Sequence, residues 1–181
     1  MKIIITGATG FIGGEILHQA LSNNDVDSIV VLARREPAVS DPKIQFLKVE
    51  DYLNLPSNVL SAVADADACL WALGSADFSD YEAAKRVHLD FTLAAARAFT
   101  DAVRGHVSPG KKFRFVYTSG VLSIKDQEGS AYFLGKFRRL RVCSSPIQCH
   151  PVPIMFPNSR VNPSTLNIAP LGRGREPTVG A

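Results

Sequence analysis

One eight-residue stretch constrains this chain more than any other: Thr6-Gly7-Ala8-Thr9-Gly10-Phe11-Ile12-Gly13. It follows an apolar run of β-branched residues, Ile3 to Ile5, and precedes Ile12, Ile16, Ala20 and Leu21 at helical spacing. A buried strand therefore enters a G-x-x-G-x-x-G turn and leaves it as a helix. In such a turn the first glycine reverses the chain and the second lets backbone approach a ligand. The third lets the helix pack close against the strand. The helix N-terminus then points free amide donors and a partial positive charge at whatever sits above the turn, which suits a pyrophosphate. Gly7, Ala8, Thr9, Gly10, Phe11, Ile12 and Gly13 are on this basis candidate dinucleotide-binding residues.

The end of the next strand distinguishes between dinucleotides. A site for NAD places an acidic residue there, about 20 positions after the glycines, to accept from the ribose 2′-hydroxyl. Here Arg34 and Arg35 occupy that place. Their planar donors suit a 2′-phosphate and offer no acceptor to a hydroxyl, so NADP(H) is expected in preference to NAD(H). Asp51, after the third strand, is a candidate adenine contact, with capping or solvation as the equal alternative.

The rest of the chain repeats the same alternation. Ser28 to Ala33 and Ile44 to Val49 read as buried strands, and the segment between them, broken by Pro37 and Pro42, reads as a loop in place of a second helix. Ser57 can cap a short helix to about Ala64. Ala68 to Leu73 is another apolar strand ending at Gly74, which makes Leu73 and Gly74 further cofactor-site candidates. Ser79 to Val103 reads as one long alanine-rich helix with Ala83, Val87, Phe91, Ala94, Ala95 and Ala98 on one stripe. Phe113 to Thr118 is a fifth strand, and Ser130 to Arg141 can be helical. This pattern predicts an α/β fold, a doubly wound parallel sheet of the Rossmann type with five strands in the order 3-2-1-4-5.

Beyond Arg141 the periodicity ends, and seven of the eleven prolines fall there (Pro146, Pro151, Pro153, Pro157, Pro163, Pro170 and Pro177). Proline removes a backbone donor and is excluded from helix interiors. A boundary is expected near Arg141, with residues 1–141 a dinucleotide-binding domain and 142–181 an irregular or disordered tail.

The chain resembles the short-chain dehydrogenase/reductase superfamily, and specifically its extended or atypical branches, epimerase-like and NmrA-like. The residues that carry the resemblance are the T-G-A-T-G-F-I-G turn, Ala72-Leu73-Gly74 after strand four, and Tyr117-Thr118-Ser119-Gly120 after strand five. It covers roughly Met1 to Arg141. The resemblance implies a Tyr-x-x-x-Lys pair with a serine, and Tyr132, Lys136 and Ser119 fit that pattern. A spacing of four puts Tyr132 and Lys136 on one helix face, where the ammonium eases proton loss from the phenol. The family serine binds the substrate oxygen. Ser119 lies 13 residues before Tyr132, a separation nearer that of the single-domain dehydrogenases than of the epimerase branch. A family asparagine, within V-N-x-x-x-T, is replaced by His88 in Val87-His88-Leu89-Asp90-Phe91-Thr92. The R-P-G turn and substrate lobe that follow in relatives are absent from the residues after Arg141.

These features imply an NADP(H)-dependent oxidoreductase or epimerase-like enzyme acting on a carbonyl or hydroxyl of a small molecule. Two alternatives stay open: a non-catalytic, NmrA-like dinucleotide sensor, or a partial product of a longer reductase or epimerase. Net charge is +3, from 20 Lys and Arg against 17 Asp and Glu, which is no concentrated basic face, so nucleic acid is not an expected partner. The run Lys136, Arg138, Arg139 and Arg141 reads as a solvated helix face. No segment approaches the ~18 apolar residues of a membrane span, and no signal peptide is visible. A cytoplasmic protein, able to form a homodimer, is the expectation. Cys143, Cys149 and His150 lack a fourth ligand at zinc-site spacing, so no metal is expected. His18 and His106 read as surface residues.

Overall fold

The structure, a computed structural model, describes residues 1–75, 77, 79–106 and 112–119. In chain order the elements are β1 (Lys2–Thr6), α1 (Phe11–Ser22), β2 (Ser28–Ala33), β3 (Ile44–Lys48), α2 (Ser57–Val63) and β4 (Ala68–Trp71). They continue with α3 (Tyr81–Lys85), a π-helical turn (Arg86–Asp90), α4 (Phe91–Arg104) and β5 (Arg114–Tyr117). The five strands form one parallel sheet in the order β3-β2-β1-β4-β5. Fold class and strand order are those expected from the sequence. The tail boundary at Arg141 lies outside the described residues.

Period-two alternation splits the core into two layers. Ile3 and Ile5 of β1, Ile29, Val31 and Ala33 of β2 and Ala68 of β4 pack on one face against Ile16, Leu17 and Ala20 of α1. Ile4, Val30, Leu32, Cys69 and Trp71 face the other way, against Val59 and Val63 of α2 and Phe91, Ala95, Ala96 and Phe99 of α4. Each fully buried large aliphatic or aromatic side chain contributes roughly 1.5–3 kcal/mol by leaving water. The central strands are consequently the most apolar in the sequence.

The segment after β2 is irregular, as its prolines dictate. Its last residue is tied back: Lys43 Nζ donates to the carbonyls of Leu21 at 3.2 Å and Asn23 at 3.1 Å. The ammonium thus sits at the C-terminus of α1, where the helix dipole favours a cation.

The expected long helix after β4 is continuous but not uniform. Its start is set by Asp80, whose Oδ1 accepts from the amides of Glu82 and Ala83. At Arg86–Asp90 the repeat widens to a π turn, in which Phe91 N–H donates to Arg86 O. Thr92 Oγ1 donates to the His88 carbonyl at 3.0 Å.

Candidate functional site

In an open parallel sheet with strand order 3-2-1-4-5, the crevice lies at the C-terminal ends of the strands, where the connections from β1 and β4 diverge to opposite faces. The glycine turn occupies this position. Gly7 has φ +68°, and a Cβ there would stand 2.4 Å from Ala72 O. A Cβ on Gly13 would stand 2.1 Å from Gly7 O. Backbone blocks a side chain at both places, so the turn is folded onto β4 from one side and onto α1 from the other. Gly10 differs. A Cβ there would meet only Gly7 O, at 3.3 Å, so its missing side chain matters for what approaches from outside.

The turn is pinned by Gly10 N–H donating to Gly7 O at 2.9 Å and Gly14 N–H donating to Gly10 O at 2.8 Å. Thr6, fully buried, adds a tie that sequence reading missed: its Oγ1 accepts from Ala72 N at 3.2 Å. Gly10 caps α1 with no side-chain hydrogen bond, and the first turn holds no acidic residue. The positive end of the helix therefore stays open to an anion. Phe11 is 96% exposed beside it and Ile12 is also exposed.

At the end of β2, Arg34 and Arg35 are exposed. Among the described residues neither is engaged in a hydrogen bond or ion pair. Nearby Glu50 does not neutralise them, because Lys48 Nζ pairs with it at 2.7 Å. That hydrogen bond is the main reason the Glu50 carboxyl titrates below its ordinary range, with the Lys48 and Arg34 charges adding to it. Asp51 is engaged locally: Oδ1 accepts from Leu53 N at 2.9 Å and Oδ2 lies 3.5 Å from Arg86 Nη2. The Arg86 guanidinium also sits 5.5 Å from the centre of the Phe91 ring.

Ala72, Leu73 and Gly74 leave β4 directly beside the glycine turn, as the Ala72–Gly7 approach shows. Below them Tyr52, buried, donates from its hydroxyl to Leu32 O at 2.9 Å and packs edge-on against Trp71. Burial pushes the Tyr52 phenol far above its ordinary pKa and does the same to the Cys69 thiol, so neither serves as an acid or nucleophile at neutral pH. Thr118 donates from both its amide and its hydroxyl to Trp71 O, each at 2.9 Å, which brings the residue before Ser119 to the end of β4. Ser119 itself is exposed. Tyr132 and Lys136 lie outside the described residues. Among the described residues no cluster of three His, Cys, Asp or Glu side chains is arranged for a metal.

The open helix terminus, the side-chain-free approach at Gly10 and the two unengaged arginines fit a nicotinamide dinucleotide. Gly7 to Gly13 would hold its pyrophosphate and Arg34 and Arg35 its adenosine end. These features define a dinucleotide-binding domain of the Rossmann type, within the short-chain dehydrogenase/reductase superfamily. The family profile of the male sterility protein, an NAD-binding family, matches residues 5–99, more than half of the chain, and the chain belongs to that family.

Among curated relatives, the PKS-NRPS hybrid synthetase psoA of Aspergillus fumigatus is 29% identical over 145 residues, 72% of this chain and 4% of the synthetase. The nonribosomal peptide synthetase phqB of Penicillium fellutanum is 58% identical over 33 residues, 18% of this chain and 1% of that protein. The chain thus spans a small fraction of both. Among solved structures, the PhqB reductase domain from Penicillium fellutanum aligns with TM-score 0.56 and 21% identity over 77% of this chain and 42% of that one. DesIV, the dTDP-glucose 4,6-dehydratase of Streptomyces venezuelae in complex with NAD, aligns with TM-score 0.58 and 18% identity, over 78% and 48% of the two chains. These likenesses establish the shared fold. No helix among the described residues is long and apolar enough to cross a membrane.

Proposed function

We propose that this chain is the dinucleotide-binding part of a reductase that binds NADP(H) in preference to NAD(H) and acts on a carbonyl or hydroxyl of a small molecule. The observation that carries the cofactor preference is the unengaged Arg34-Arg35 pair at the end of β2, where a carboxylate would be needed to accept from a ribose hydroxyl. Likeness to the PhqB reductase domain supports reduction over a purely sensory role.

The bound nicotinamide supplies or takes up the hydride. In this reading Ser119 orients the substrate oxygen, Tyr132 moves the proton on that oxygen, and Lys136 keeps the phenol ready to ionise. The placement of Ser119 just beyond Thr118, which is fixed to β4, favours its facing the same crevice as the glycine turn.

Calorimetric titration with both cofactors tests the preference. NADPH should bind more tightly, and Arg34→Ala/Arg35→Ala should remove most of the difference, since a charge-assisted hydrogen bond contributes about 1.5–3 kcal/mol. Equal affinities in the unaltered protein would end the claim. For the catalytic part, NADPH oxidation is followed with a panel of aldehydes, ketones and sugar nucleotides. Tyr132→Phe should abolish turnover while leaving NADPH affinity unchanged, and undiminished turnover in that variant would remove Tyr132 from the mechanism.

A further inference from the structure

His88 belongs to no part of the site described above, yet it is only 7% exposed and lies in the middle of the π turn. A buried imidazole on an otherwise apolar helix face needs polar partners. It finds one in the backbone of Ser75: Nε2 lies 3.0 Å from the Ser75 carbonyl oxygen and 3.3 Å from its amide nitrogen. With the proton on Nε2 the ring donates to the carbonyl. With the proton on Nδ1 the ring accepts from the amide. Either tautomer grips the same peptide segment.

The segment so gripped is the continuation of β4 into the crevice. One residue earlier, Gly74 lies against the same ring, and a Cβ there would stand 3.1 Å from His88 Cε1. On its other side, the Ala72 carbonyl is pressed onto Gly7, leaving no room for a side chain. The backbone from Ala72 to Ser75 therefore runs between the glycine turn and the imidazole. A π turn inserts an extra residue into the helix and recurs at functional sites. Thr92 takes up the His88 carbonyl across it.

We propose that His88 is a positioning residue that seats the Leu73-Gly74-Ser75 backbone against the nicotinamide half of the dinucleotide, and that Gly74 lacks a side chain because the imidazole fills that space. This rests on the reading of the crevice as a dinucleotide site. The adenosine half is held on the β2 side by other residues, so the effect of His88 should be confined to one half of the ligand.

The test uses the full chain and two probes: the dinucleotide that the unaltered protein binds more tightly, and ADP, which lacks the nicotinamide half. His88→Leu should weaken dinucleotide binding about tenfold, the equivalent of one or two hydrogen bonds, while ADP affinity stays within about twofold. His88→Asn, which keeps a donor and an acceptor, should restore part of the loss. Equal weakening of both probes, or no change in either, would overturn the proposal. Gly74→Ala supplies a second route if His88→Leu does not fold. It should weaken the dinucleotide several-fold alone and measurably less in a His88→Ala background, because the added methyl then meets open space. Additive effects would refute the contact. If the unaltered protein binds neither NADPH nor NADH, the dinucleotide reading itself fails and this proposal fails with it. If it binds one normally and the variants do not discriminate between probes, only the role of His88 is lost.

Discussion

The two faces of the sheet solve different packing problems. The face under α1 is built from Ile, Val, Leu and Ala, and it lets the helix approach until a Cβ on Gly13 would overlap Gly7 O. The opposite face is filled by Tyr52, Trp71, Phe91, Phe99 and Phe115, with Trp71 meeting Tyr52 at 5.1 Å and Phe115 at 5.6 Å between ring centres. A thin layer brings a helix terminus close to the strand ends, where a phosphate can use its amides. On the other face the aromatic rings lie between the sheet and the helices α2 and α4. The comparison teaches that side-chain size on each face governs how closely a helix can approach the sheet.

Substitutions on the two faces should then fail in opposite senses. On the thick face the greatest harm comes from deletion. Phe99→Ala, at a fully buried position of α4, should cost about 3–5 kcal/mol in urea denaturation, as the cavity cannot close. A cost below about 1 kcal/mol would mean that the aromatic layer is loosely packed. On the thin face the harm comes from addition. Gly13→Ala should cost ~3 kcal/mol, at the upper end for overpacking, because the obstacle is the Gly7–Ala8 peptide and not a side chain that can swing away. A stable Gly13→Ala protein would show that α1 can retreat from β1. The smallest effect is expected for Tyr52→Phe, which removes the hydroxyl bonded to Leu32 O while preserving the ring stack. Its cost should be about 1 kcal/mol, one buried hydrogen bond. A much larger loss would show that the phenol, rather than the rings, holds the thick layer together.

The thin face was the more legible in the sequence. Ile3 to Ile5, three glycines at fixed spacing and a helical stripe follow one another within a few residues, so local rules determine β1, the turn and α1 together. Arg34 and Arg35 were legible for the same reason, since their place is counted from the end of a strand. Strand order followed from the alternation of strands and helices and the Rossmann type that it predicts. The thick face depends on contacts between residues distant in the chain. Nothing local announces that Asp51 meets Arg86, that Thr6 accepts from Ala72, or that Tyr52 reaches Leu32. The π turn was equally hidden, because an alanine-rich stripe reads as plain helix whether its repeat is 3.6 or wider. His88 stood out only as a departure from a family pattern. Its reason, a grip on Ser75, belongs to the folded chain.

Cys69 gives the divided core an observable clock. Its thiol is fully buried in the middle of β4, and burial keeps it protonated. Alkylation can therefore proceed only from a state in which the strand has come away from its neighbours. In a protein whose Cys143 and Cys149 are changed to serine, the labelling rate of Cys69 would report how often the sheet opens between β1 and β5. A dinucleotide that binds across the ends of those strands would slow that labelling in proportion to its occupancy.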